Sequence, residues 1–216
     1  AIAIGAYGCG DKPTPTDPQK PTVRVVPDSE FCAAIAGLPI SSAVGTKGKY
    51  WTNGQTIRIG FIGGNATQRK YMTDAVEEWA KYVNLVFAYP AAGPYDIRVS
   101  FVAGNGSYSY IGTDCKTIPQ NVATTNIGWS GISVCLHEFA HALAMSHEQA
   151  SPNSDIIWNK EVVYAALGGP PNNWSRATVD WNVFRKLTTQ EAEATIFDPL
   201  SIGQYSVPGS WTANYP

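Results

Sequence analysis

Three histidines occur in the 216-residue chain, and all of them fall between positions 137 and 147. In His137-Glu138-Phe139-Ala140-His141 the two imidazoles are four residues apart. On an α-helix that spacing turns the side chain by only about 40° around the axis, so both rings project from one face and form a chelate for zinc. Glu138 lies beside the first ring, near the metal but not in line with it. A carboxylate there can hold a water and take its proton. His147 comes too far along a continuing helix to face the same ion, so the chain must turn and deliver the third nitrogen from another direction. Three nitrogen ligands with a fourth position open are the arrangement of catalytic rather than structural zinc. The plain alternative is three histidines satisfied by ordinary hydrogen bonds. It would need every histidine of the chain to fall by chance at ligand spacing, with a glutamate at the one useful position between them.

The elements that must position these groups read as an α+β fold. Ile57, Ile59 and Phe61 alternate with polar or small residues, the pattern of a half-buried strand. Between Asn65 and Asn84, the residues Met72, Ala75, Val76, Trp79 and Val83 recur at helical spacing and predict a long amphipathic helix lying on the sheet. Leu85 to Phe87 and then Ile97, Val99 and Phe101 supply two more strands, separated by the turn Pro90 to Pro94. A Gly- and Ser-rich stretch from Gly104 to Gly112 precedes a second helix, expected from about Ser130, that carries the histidines. Beyond His147 regularity fades: Asn153, residues 168–173 and residues 198–216 are turn-rich, with one helix expected at Thr188 to Thr195.

Composition removes several classes of function. Fifteen basic against 17 acidic residues leave a net charge of −2, without the basic stripe that nucleic acid requires. No apolar run approaches the roughly 18 residues of a membrane span. The four cysteines and the abundance of Trp, Tyr, Gly and Pro suit a secreted, loop-rich enzyme, which is expected to act as a monomer. Ala1 to Gly8 is short and has no basic region before it, so an export signal is expected to have been removed already.

With these residues in view, the chain resembles the metzincin metallopeptidases, whose signature is HExxHxxGxxH, and among them the astacins. His147-Glu148-Gln149 resembles the HEQ that follows the third ligand, and Trp129-Ser130-Gly131-Ile132 leads into the helix in the same manner. Ser107 to Gly112 is similar to the segment before the active-site helix, and Asn173-Trp174 to an Asn-Phe pair. The resemblance implies an upper lobe of twisted mixed sheet with two long helices, the active-site helix ending at the cleft, and an irregular lower lobe with a C-terminal helix. It implies a zinc endopeptidase acting on protein or peptide substrates. Residues 1–45 would be propeptide and arm, 46–147 the upper subdomain and 148–216 the lower. Ser201-Ile202-Gly203-Gln204-Tyr205 is similar to Ser-x-Met-His-Tyr, and the resemblance implies that Tyr205 is the family's tyrosine, a fifth zinc ligand that swings away to hydrogen-bond the reacting carbonyl. A buried structural tyrosine is the plain alternative. Glu148 would meet the amino terminus freed on activation.

Two positions depart from the family pattern. Ala144 stands where the signature has Gly, at a cost of about 1 kcal/mol for a left-handed residue. Gly203 stands where a methionine usually floors the site, which predicts looser support rather than lost chemistry. A zinc-stabilised binding protein without catalysis is the alternative function these departures suggest, and Glu138 argues against it.

Cys9, in Tyr7-Gly8-Cys9-Gly10-Asp11, sits on a Pro-rich tether long enough to reach the metal. A thiolate there would fill the open position and keep the enzyme latent until an activating protease or self-cleavage cuts the arm. Asp11 is a second candidate, because astacin precursors use a Phe-x-Gly-Asp motif, and a Cys9–Cys32 disulfide is a third reading. Cys115 and Cys135 could close a loop of about twenty residues worth roughly 3 kcal/mol, or Cys135 could be a buried free thiol.

Overall fold

Met72, Ala75, Val76 and Trp79 form the buried face of α1 (Ala66–Ala80) in a computed structural model of the chain. The structure describes residues 43–170 and 172–215, so Cys9, Asp11, Cys32 and the Pro-rich arm lie outside the described residues. The helix starts where its sequence can satisfy its free amides. The Asn65 side chain accepts from Gln68 N, and the Gln68 side chain accepts from Asn65 N. Burying Met72 or Val76 contributes about 1.5–3 kcal/mol each.

This face lies against a sheet of five strands in the order β3-β2-β4-β6-β5. Strands β2 (Thr56–Ile62), β3 (Val86–Ala88) and β4 (Ile97–Ser100) sit where alternation or apolar runs placed them. The two short strands β5 (Tyr108–Ser109) and β6 (Thr125–Asn126) complete the edge. β2 runs parallel to β3 and β4, and β4 to β6, while β5 is antiparallel to β6. Ile57 and Ile59 of β2 and Ile97 and Val99 of β4 share one core with α1 and with α2 (Ile132–Ala142). Two indole donors fix the helix to its surroundings: Trp79 Nε1 donates to Leu136 O (2.9 Å) and Trp51 Nε1 to Ala142 O (2.8 Å).

Arg98 is wholly buried in this layer, and its guanidinium donates only to backbone carbonyls, those of Tyr95, Asp96, Cys115, Ile118 and Val122. It ties β4 to the 3-10 turn Gly112–Thr117 and to the connection that leads into β6. That turn needs its first residue. Gly112 has φ +51, and a side chain there would run into the Lys49 carbonyl.

Past His147, a second apolar cluster gathers Val163 and Leu167 of α3 (Lys160–Gly168) with Val179 of α4 (Arg176–Val179), Val183 of the π-helical turn Asp180–Phe184, and Trp211. The expected helix at Thr188 to Thr195 does not form. One turn closes from Ala192 N to Thr188 O, and the chain then enters β7 (Ala192–Ala194), antiparallel to β1 (Val44–Thr46). Eight residues, three of them β-branched threonines, are too few to hold a helix alone, and the ladder offered by β1 decides the outcome. The helix of this region is α3, which sequence periodicity did not reveal.

The Cys115–Cys135 bridge is likewise absent. Both thiols are free and buried, Cys115 on the 3-10 turn and Cys135 on α2, and both serve as packing atoms in the main core. Burial pushes each up to about 12. Among the described residues, no helix is long and apolar enough to cross a membrane.

Candidate metal centre and active site

α2 buries most of its surface, and at its end the chain turns through a glycine-type cap built without glycine. Ala144 N donates to His141 O (2.9 Å) and Met145 N to Ala140 O (3.0 Å), the pair of bonds that closes a helix around a left-handed residue. Ala144 takes that conformation at φ +75 with no exposed surface. The departure from the glycine signature therefore leaves the turn intact. The extended segment that follows is pinned by Ser146 N to Val44 O (2.7 Å) and by Glu148 N to Gly203 O (3.0 Å), which brings His147 back over the helix.

The candidate ligand atoms of His137, His141 and His147 all lie within 4.8 Å of one another. His141 Nε2 and His147 Nε2 are 3.1 Å apart. Two nitrogens bound to one tetrahedral zinc at 2.0–2.1 Å would sit roughly 3.3 Å apart, so the spacing fits a shared ion. His137 Nδ1 donates to Ile202 O (2.6 Å) and His141 Nδ1 to Met145 O (2.7 Å), which leaves each Nε2 with its lone pair free. Burial is the first cause lowering all three imidazoles: His137 falls to about 3, His141 falls, and His147 falls well below its ordinary value. Neutral imidazole is the form that binds metal.

Glu138 is fully buried on the same helix. Tyr205 is 8% exposed, and its ring centroid lies 4.2 Å from that of His147. Glu148 is buried too. Burial raises its carboxyl while its Oε1 accepts from Asp198 N (3.2 Å). The structure thus gathers His137, His141, His147 and Tyr205 at one place, with Glu138 buried next to His137 on α2, while Cys9 lies outside the described residues.

Gly203 lies within this shell. Its carbonyl holds Glu148 N, and a Cβ there would meet nothing nearer than Ser201 Oγ at 3.5 Å. The loop Ser201 to Tyr205 meets the histidines through the Ile202 carbonyl and the Tyr205 ring, where the family pattern has a methionine side chain. Beside His141 and His147 opens a pocket of about 320 Å³, walled by Ser109, Ile111, Trp181 and Arg185 among others. Ser109 and Ile111 belong to the segment Ser107 to Gly112 that the sequence singled out, whereas nothing in the sequence pointed to Trp181 or Arg185. Nor did it reveal the carbonyls of Ile202 and Met145, because a backbone acceptor leaves no trace in residue type.

Comparison with known proteins agrees with this geometry. The peptidase family described as Astacin is matched over residues 43–163. A solved structure of myroilysin is 37% identical, covers 80% of this chain and 87% of its own, and superposes with a TM-score of 0.76. A crystal structure of myroilysin is 34% identical over 89% of this chain and 88% of its own, with a TM-score of 0.57. High choriolytic enzyme 1, a hatching-enzyme zinc-protease from the medaka fish Oryzias latipes, is 18% identical over 77% of this chain and 78% of its own, with a TM-score of 0.51, and shares the fold. A search of curated proteins returned no match.

Proposed function

Because the chain belongs to the astacin family of peptidases and is a zinc metalloendopeptidase, we propose that His137, His141 and His147 hold the zinc, Glu138 is the general base and Tyr205 donates to the oxyanion. The reading is carried by three neutral imidazoles whose nitrogens converge within 4.8 Å. Zinc supplies a Lewis acid for the scissile carbonyl and lowers the pKa of water. Glu138 takes the proton of the attacking water and returns it to the leaving amine, a role worth about 10²–10⁴ in rate. The Tyr205 phenol hydrogen-bonds the oxygen on which negative charge develops, worth about 10²–10³. Substrates are proteins or peptides, bound between an upper subdomain ending near His147 and a lower one built on the second apolar cluster.

The protein is further proposed to be a secreted, monomeric zymogen. Cys9, flanked by Gly8 and Gly10, would take the fourth ligand position until the arm is cut; Asp11 is the rival. A thiolate is the preferred zinc donor over a single carboxylate oxygen, and the two glycines allow close backbone approach. The experiment is casein hydrolysis after limited proteolysis of the full chain. Glu138→Ala should lose at least about 100-fold, and equal activity in that variant would end the mechanism. Cys9→Ala should raise activity before proteolysis; an unchanged precursor would pass the role to Asp11 or a disulfide.

A further inference from the structure

Two Asn-Gly pairs stand among the described residues, Asn53-Gly54 and Asn105-Gly106. In this dipeptide the backbone amide reaches the preceding side chain most readily, because glycine has no Cβ to hinder the approach and leaves the backbone free to turn. Both asparagines are exposed, and both glycines stand at positive φ, +78 and +67. What separates the pairs is the nitrogen that would attack. Gly54 N donates to Asn84 O (2.7 Å), which ties it to the connection between α1 and β3. Among the described residues, Gly106 N–H donates to nothing.

One buried side chain presents the loop around Asn105. Asn126, on β6 and 1% exposed, accepts from Val102 N at Oδ1 (2.9 Å) and donates from Nδ2 to Val102 O (3.1 Å) and to Gly106 O. Between these anchors the turn closes weakly, from Asn105 N to Val102 O (3.4 Å). Past Gly106 the chain is held again, where Ser107 Oγ accepts from Gly128 N (3.0 Å) just before β5. The second residue of that strand, Ser109, walls the pocket beside His141 and His147. Asn105 therefore sits on an exposed loop whose two feet are fixed and whose reactive nitrogen is unengaged.

We propose that Asn105 is a site of spontaneous covalent modification, converting to aspartate and isoaspartate through a succinimide, while Asn53 is spared. Gly106 N attacks Asn105 Cγ and gives up its proton; the Cγ–Nδ2 bond breaks, and Nδ2 leaves with that proton as ammonia. Water then opens the ring. Addition at Cγ gives aspartate, and addition at the main-chain carbonyl gives isoaspartate, whose backbone runs through Cβ and Cγ. One water is consumed and one ammonia released, and no metal or oxidant takes part, so the inference stands apart from the zinc reading. Isoaspartate adds a main-chain carbon between Val102 and Gly106, the span that Asn126 holds at both ends, so one of the two attachments must give.

The test ages the full chain in mildly alkaline buffer and follows both dipeptides by peptide mapping, with isoaspartate detected by an isoaspartyl methyltransferase and a labelled methyl donor. In the folded protein Asn105 should convert about 10-fold faster than Asn53, the factor that an ordinary hydrogen bond on the attacking nitrogen imposes. In urea, where that bond is gone, the two should convert at similar rates, which assigns the difference to the fold. Asn105→Gln, whose longer side chain closes a ring far more slowly, should abolish the fast conversion. Equal rates in the folded state, or an Asn105 that reacts only in urea, would overturn the inference. The isoaspartyl form, purified by ion exchange, should unfold at lower urea than the Asn105→Asp variant, which carries the new charge on an unlengthened chain; coincident midpoints would refute the strained attachment.

Discussion

Ala144→Gly restores the residue that the zinc signature carries at this turn, and a naive expectation is a clear gain in stability. The structure argues otherwise. Relief of the left-handed conformation at φ +75 favours glycine by about 1–2 kcal/mol. Against it, glycine adds freedom to the unfolded chain worth about 0.4–1 kcal/mol. The Ala144 methyl has no exposed surface and packs toward Gly112, where a Cβ would come within 2.7 Å of it, so deleting it loses about 0.8 kcal/mol of burial. The three contributions cancel to within about 1 kcal/mol. Urea unfolding of the zinc-loaded full chain should give midpoints that coincide on that scale, with unchanged metal content. Ala144→Val is the control, because a β-branched residue is a true outlier at positive φ; it should lose stability. A gain above about 2 kcal/mol for Ala144→Gly would mean that the turn is strained without compensation, and the reasoning would fail.

Two more outcomes follow from the same packing. Gly203→Met should be accepted, since the first atom of the new side chain meets nothing closer than 3.5 Å, and should raise stability by about 1 kcal/mol as cavity-filling changes do; a lowered unfolding midpoint would show that the loop leaves no space under the ligands. Cys115 and Cys135, free and pushed up to about 12 by burial, should resist iodoacetamide in the native protein at pH 8 and react after unfolding. Peptide mapping that finds either one alkylated in the native state would contradict the burial.

The site was legible wherever one segment carries its own geometry. His137 and His141 follow from helical spacing alone, and α1 from the period of Met72, Ala75, Val76 and Trp79. Legibility failed where a distant partner decides. Thr188 to Thr195 has helix-forming residues, but β1, far away in sequence, turns part of it into strand. α3 buries only Val163 and Leu167 and has no side-chain cap at Asn159, so neither period nor start signal was strong. Cys115 and Cys135 looked like a pair because spacing is silent on which way a thiol points. The anchors of His137 and His141 are main-chain oxygens, which any residue provides.

Arg98 has a consequence for the conditions the enzyme can endure. Surface ion pairs such as Lys70 with Asp74 lose their strength when acid protonates the carboxylate or salt screens the charges. The Arg98 cross-link has neither weakness. Its acceptors are amide oxygens that do not titrate, its guanidinium stays charged, and no solvent ions reach it. The central strand β4 and the connection into β6 are thereby fastened by bonds indifferent to brine and to mild acid, so in such media this scaffold should outlast the surface ion pairs.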